Sequence, residues 1–137
     1  MSSDDGALPL AFYGTLRQGE RAYIELGLES RLTALGKVRI RGKLLDLGAY
    51  PGLVEGDGEV TGELYDLPDP TILGELDFYE LFDPANPETS EFIRRCVRLA
   101  EPNRDAWVYF YNPDGVSPLA RAPAHRVITS GDWKRRT

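Results

Sequence analysis

Lys37-Val-Arg-Ile-Arg-Gly-Lys-Leu-Leu-Asp-Leu47 alternates: Val38, Ile40, Gly42 and Leu44 share one parity, and Arg39, Arg41 and Lys43 take the other. A period of two sends successive side chains to opposite faces of a strand, so one face packs and the other meets water. Val60-Thr-Gly-Glu-Leu64 repeats the pattern through Val60, Gly62 and Leu64. Working outward, strand character covers residues 8–13, 37–47, 59–65, 92–100 and 106–111. Trp107-Val-Tyr-Phe-Tyr111 is apolar on both parities, which predicts a central strand covered on both faces. Fourteen glycines and ten prolines separate these runs at short intervals, so the chain reads as a compact sheet or barrel with few helices.

Two segments have helical character. The first covers about residues 19–28, with Ala22, Tyr23, Leu26 and Leu28 as its apolar positions. The second has Asp69 as N-cap, Pro70 at the first helical position and a body over 71–81. It is expected to stop before Asp83-Pro84, because the residue preceding a proline is pushed out of the helical region. With 137 residues, 42% of them apolar, the chain is long enough for one core without disulfides or structural metal. We expect a flexible segment over 1–7, one domain over 8–133 and a basic tail over 134–137.

Composition removes several functions. Sixteen Lys and Arg against 22 Asp and Glu leave a net charge of -6, the wrong sign for a partner of the phosphate backbone, so no nucleic acid is expected. A single His (His125) and a single Cys (Cys96) exclude a disulfide framework and a His/Cys zinc site within one chain. No run approaches the roughly 18 to 20 apolar residues that span a bilayer, and Met-Ser-Ser-Asp-Asp-Gly6 is acidic where a leader would be basic and then apolar. The expectation is a cytoplasmic protein without a membrane partner, monomeric or weakly dimeric. Its chemistry must then rest on carboxylates, tyrosines or backbone amides.

One carboxylate breaks the pattern. On a helical wheel with Ile72 at zero, Tyr79, Leu76 and Leu73 fall at about -20°, +40° and +100°, and Glu80 falls at about +80°, inside the apolar stripe. An ionised carboxylate buried without a partner is costly, so it pairs with a cation or its pKa rises, and a raised pKa suits a general base near neutrality. The pattern alone leaves the alternatives open: a poised base, an ion pair with Arg94 or Arg95, or a side chain that swings into solvent beside Leu81. A second candidate is the turn Gly14-Thr-Leu-Arg-Gln-Gly19 after the first strand. Backbone N–H groups where a strand stops at glycine and a helix begins can hold a carboxylate or phosphate, although most such turns are only turns. The turn lacks both GxxxxGK[ST] and GxGxxG, so no nucleotide is indicated.

Other residues have simpler readings. Cys96 reads as a small core residue, Asp77 as a helix-surface or capping residue, and Arg94 and Arg95 as ion-pair residues. Tyr109 and Tyr111 share a parity and read as core residues, one of which could rim a pocket. His125 lies in a turn-like stretch after Pro123 and has no evident catalytic partner.

Taken in order, Phe12-Tyr-Gly-Thr-Leu16, Tyr50-Pro-Gly-Leu53, Val60-Thr-Gly-Glu-Leu-Tyr65, Leu76-Asp-Phe-Tyr-Glu80 and Ala106-Trp-Val-Tyr109 resemble the γ-glutamylcyclotransferase-like superfamily, in its γ-glutamylamine cyclotransferase and AIG2-like branch. The resemblance runs from about residue 10 to Gly131-Asp-Trp133. It implies an α+β fold, a small mixed β-barrel with flanking helices. It also implies a cofactor-independent, metal-free enzyme that cyclises a γ-glutamyl amine or peptide to 5-oxoproline. By the same resemblance Glu80 is the catalytic general base, and Tyr13, Gly14, Thr15 and Leu16 bind the substrate's α-carboxylate end. The chain departs from the family pattern at Leu81, where glycine often follows the glutamate, at Phe92, where a tyrosine often opens the next strand, and in the Pro-containing loop over 82–91. A binding or scaffold protein of the same fold and a hydrolase sharing Glu80 are the competing expectations.

Overall fold

Two long strands carry the architecture of the chain, seen in a computed structural model that describes residues 8–113 and 126–135 apart from positions 15, 18, 49 and 70. β2 (Thr33–Asp46) and β3 (Pro51–Asp66) pair antiparallel along their length. The alternation in β2 is realised, with Val38, Ile40, Gly42 and Leu44 buried and Arg39, Arg41 and Lys43 exposed. A bulge between Arg41 and Lys43 bends the hairpin, and a Cβ on Gly42 would stand 2.6 Å from Leu53 Cδ1. Glycine there lets the two strands close over each other.

Around this hairpin the sheet adds β1 (Leu10–Phe12), β4 (Phe92–Arg98), β5 (Asp105–Tyr111) and β6 (Arg126–Val127), in the order β4-β5-β1-β3-β2-β6. The β1–β5 contact is parallel and the other pairings are antiparallel. Among the described residues no ladder joins β4 to β6, so the sheet is open and the expected barrel is a curled sheet. β6 is two residues long, too short to close a circle. β4 carries Arg94, Arg95 and Arg98, and charges along an edge strand discourage further pairing. The mixed α+β class is as expected.

β5 lies between β4 and β1 and is covered on both faces. Tyr109 and Tyr111 enter one apolar cluster with Leu10, Phe12, Ile72 and Leu76; Ala106, Val108 and Phe110 enter the other with Ile40, Leu53 and Trp133. The first helix is shorter than its sequence predicts: α1 spans Arg21–Glu25, and a 3-10 turn follows at Leu28–Ser30. Gly27 at φ +63° stops it, while Ala22, Tyr23 and Leu28 pack as expected. α2 spans Thr71–Tyr79 and is capped by Asp69, whose Oδ1 accepts the Thr71 N–H at 3.0 Å. Pro70 lies outside the described residues.

No helix among the described residues is long and apolar enough to cross a membrane. Cys96, expected in the core, is exposed, because the edge strand that carries it turns that position to solvent.

Candidate active site

The far end of α2 decides where Glu80 points. Ile72, Leu76 and Asp77 are buried and Leu73 is half-buried, whereas Tyr79 is 37% exposed. The buried arc on the wheel therefore runs from about 0° to 140°, and Glu80, at about 80°, sits at its middle. Tyr79 falls outside this arc, a correction to the expected stripe. The rotation comes from Asp77, which the sequence places on the surface and the fold buries.

Asp77 is the anchor of the helix. Arg94 Nε donates to Asp77 Oδ1 at 2.8 Å, and Arg94 Nη2 to Oδ2 at 3.0 Å. The Tyr109 hydroxyl donates to Asp77 Oδ1 at 2.6 Å. The Arg94 guanidinium lies 4.4 Å from the Trp107 ring centroid and 5.7 Å from that of Phe82. A bidentate pair under aromatic cover locks the last turn of α2 onto β4 and β5. Arg95 pairs instead with Glu55 at 3.0 Å. Both arginines are thus ion-pair residues, and neither partner is Glu80.

The helix ends in a Schellman turn. Phe82 N–H donates to the Asp77 carbonyl at 2.8 Å, and Leu81 N–H to the Phe78 carbonyl at 3.1 Å. This closure requires a left-handed residue at position 81, and Leu81 has φ +57°. A side chain in that region is strained by about 1 to 2 kcal/mol, so the backbone at position 81 favours glycine. Leu81→Gly relieves the strain and adds some unfolded-chain entropy, so a net gain of about 0.5 to 1 kcal/mol is expected, read as a raised denaturant midpoint with an unchanged slope.

Glu80 faces a cavity of about 250 Å³ where β1 ends and β3 and β4 begin. Tyr13, Gly14 and Leu16 line the same cavity; Thr15 lies outside the described residues. The fold thus brings the residue singled out on α2 together with the described part of the first loop. Among the described residues no side chain makes a hydrogen bond or ion pair with Glu80. Burial first, then the neighbouring charges of Glu91 and Asp77, push its pKa up to about 8.

The loop is held from beneath. The Arg17 N–H donates to the Gly14 carbonyl at 3.0 Å, closing the turn. The buried Arg17 side chain reaches Glu63 Oε2 at 3.1 Å and Asp132 Oδ1 at 2.6 Å. Gly14 has no room for a side chain, since a Cβ would stand 2.6 Å from Pro51 Cγ. Among the described residues, no backbone carbonyl accepts from the Gly14 or Leu16 N–H outside the strand ladders. The Tyr13 hydroxyl is engaged inside the frame: it accepts the Leu53 N–H at 3.1 Å and donates to the Tyr109 carbonyl at 2.7 Å. Burial and the Glu80 charge hold this phenol well above its ordinary pKa, so it stays neutral.

Three cavity residues carry no assigned role in the sequence reading: Arg21 at the start of α1, Tyr50, which appears there only within the Tyr50-Pro-Gly-Leu53 motif, and Glu91, which appears only as the end of the loop over 82–91. Glu91 is 4% exposed, and its Oε2 accepts a hydrogen bond from the Tyr50 hydroxyl. Of the two tyrosines on the shared parity, Tyr109 lines the cavity and Tyr111 packs in the core. His125 lies outside the described residues.

Known proteins resemble the chain in sequence and in fold. The chain is 37% identical over 124 residues to a Vibrio cholerae protein named for gamma-glutamylcyclotransferase activity, covering 90% of this chain and 93% of that one. It is 32% identical over 107 residues to the gamma-L-glutamyl-butirosin B gamma-glutamyl cyclotransferase of Niallia circulans, covering 77% of this chain and 67% of the relative. The solution structure of the Escherichia coli protein YtfP superposes with a TM-score of 0.61 at 30% identity, covering 94% of this chain and 98% of YtfP. A family profile described as gamma-glutamyl cyclotransferase, AIG2-like, matches residues 10–135, and the chain belongs to that family.

Proposed function

We propose that the protein is a cytoplasmic γ-glutamyl cyclotransferase that converts a γ-glutamyl amine or peptide to 5-oxoproline and the free amine. The observation that carries this reading is the convergence of Glu80, raised toward neutrality and unpaired among the described residues, on the cavity that the Tyr13–Gly14 and Leu16 segment also lines. In the proposed reaction Glu80 takes a proton from the substrate's α-ammonium. The freed amine nitrogen attacks the side-chain amide carbon and closes a five-membered lactam. Glu80 returns that proton to the leaving nitrogen as its bond to the carbon breaks, then accepts the second proton that the attacking nitrogen sheds on becoming an amide and passes it to the departing amine, which leaves as its ammonium. Both reacting groups belong to one molecule, so the protein needs only to hold the reactive rotamer and relay two protons from the α-nitrogen to the departing amine. The turn over residues 13–16, Thr15 included, is assigned the α-carboxylate through its backbone donors, one of which can face the developing oxyanion.

A base with a pKa near 8 is ionised only above it, so kcat/KM is expected to rise with pH along a limb centred near 8. The test is a panel of γ-glutamyl amino acids, γ-glutamyl-lysine and γ-glutamyl polyamines assayed for 5-oxoproline between pH 6 and 10. No 5-oxoproline from any member overturns the reading in favour of a binding protein, and free glutamate as product replaces it with a hydrolase.

A further inference from the structure

The cavity contains a second carboxylate that the proposed reaction does not use. Glu91 closes the segment between α2 and β4, and its main chain is pinned on both sides: its N–H donates to the Leu81 carbonyl at 3.2 Å and its carbonyl accepts the Asn112 N–H at 2.8 Å. The side chain is nine-tenths buried or more, and one oxygen is braced by the Tyr50 hydroxyl. The other oxygen, Oε1, accepts no hydrogen bond from any described residue. Tyr50 is held in place by its ring, 5.9 Å from the centroid of Phe92. Its phenol is raised above its ordinary pKa by burial and by Glu91, so it remains a donor. Phe92 has no hydroxyl to offer, so Tyr50 and Glu91 supply the polarity of this wall.

Two carboxylates lining one cavity of about 250 Å³, with no ion-pair partner for either among the described residues, make a site for a cation. Arg21, the other charged residue on the cavity lining, is exposed and pairs with neither. The leaving amine has a different environment. Tyr79 and Leu81 border both the cavity and an adjoining groove that Leu26 and Phe78 make largely apolar. The cation common to every γ-glutamyl substrate is its α-ammonium.

We propose that Glu91, braced by Tyr50, is the seat of the substrate's α-ammonium, a binding carboxylate that holds the cation while Glu80 exchanges its proton. This inference rests on the γ-glutamyl reading above. No covalent step and no proton transfer is assigned to Glu91.

The test measures binding without turnover. In a Glu80→Gln background, γ-glutamyl methylamide is expected to bind at least about tenfold tighter than glutaric acid monomethylamide, which lacks only the α-amine. Adding Glu91→Gln, which preserves the acceptor for Tyr50, is expected to cut the affinity for γ-glutamyl methylamide by about 10- to 100-fold. Binding of the deaminated ligand should then change by less than about twofold. Tyr50→Phe leaves the charge in place but unbraced, keeps the inference testable if the double variant does not fold, and is expected to reduce the preference severalfold. In the protein with Glu80 intact, Glu91→Gln should raise KM much more than it lowers kcat. A preference that survives Glu91→Gln, or a loss that falls equally on both ligands, overturns the ammonium seat. Ammonium preference without 5-oxoproline formation by the unmodified protein overturns the cyclisation and upholds the seat, and failure of both ligands to bind overturns both.

Discussion

Glu80→Gln is expected to lose turnover by about 10²- to 10⁴-fold, the usual worth of a positioned base, and at the same time to melt at a higher temperature than the unmodified protein above pH 8. The second effect follows from linkage. Glu80 titrates near 8 in the folded chain and at an ordinary carboxylate value when unfolded, so between about pH 4.5 and 8 the folded state holds the extra proton. Stability is therefore greatest below that window and falls as pH rises through it. Glutamine has nothing to titrate and escapes the loss. At pH 9 the variant should gain on the order of 5 kcal/mol, close to 15 °C in Tm, and at pH 4 nothing. Thermal melts of both proteins across this range, with 5-oxoproline assays alongside, read both effects. Unchanged turnover would remove Glu80 from the chemistry, and a variant that is less stable at pH 9 would mean that the carboxylate is held by a cation.

Asp77→Ala has the opposite signature. It strands the Arg94 guanidinium beneath Trp107 and leaves the Tyr109 hydroxyl without its acceptor. Removing one member of a buried pair costs about 3 to 5 kcal/mol, a large part of the stability of a domain this size. Because Asp77 fixes the last turn of α2, three residues before Glu80, the surviving folded fraction should also lose activity. Equilibrium denaturation measures the loss. The double replacement Asp77→Leu with Arg94→Met removes both charges and is expected to be less damaging than Asp77→Ala alone. If the alanine variant costs under 1 kcal/mol, the pair does not anchor the helix.

The sheet was legible because its strands obey a two-residue period that local sequence cannot disguise. What local sequence could not carry was length and closure. β3 begins at Pro51, eight residues before its periodic stretch, because residues 51–54 gain their pattern only by pairing with residues 43–46 of β2. Whether the sheet closes depends on strands brought together from opposite ends of the chain. Glu80 was legible as a polar residue on an apolar face. Asp77, three residues earlier, looked like an ordinary surface carboxylate, since its burial depends on an arginine 17 positions later in sequence. Glu91 was legible only as the end of the Pro-containing loop over 82–91: a lone acidic residue before a strand carries no mark of a site, and only the folded chain sets it on the same cavity as Glu80. Leu81 stood out in the sequence as a departure from the pattern the resemblance implied, and its left-handed backbone is one that glycine adopts without strain.

The clamp on Arg17 joins partners separated by 115 positions. The first loop leaves the ribosome early, whereas Asp132 follows more than a hundred residues later. Until that late segment docks, the guanidinium has Glu63 but lacks its second carboxylate, and the turn beside it has lost one of its braces. During synthesis, if the first loop binds substrate as proposed, ligand capture by the nascent chain should therefore lag behind formation of the sheet, because the loop matures only once the late segment has come home.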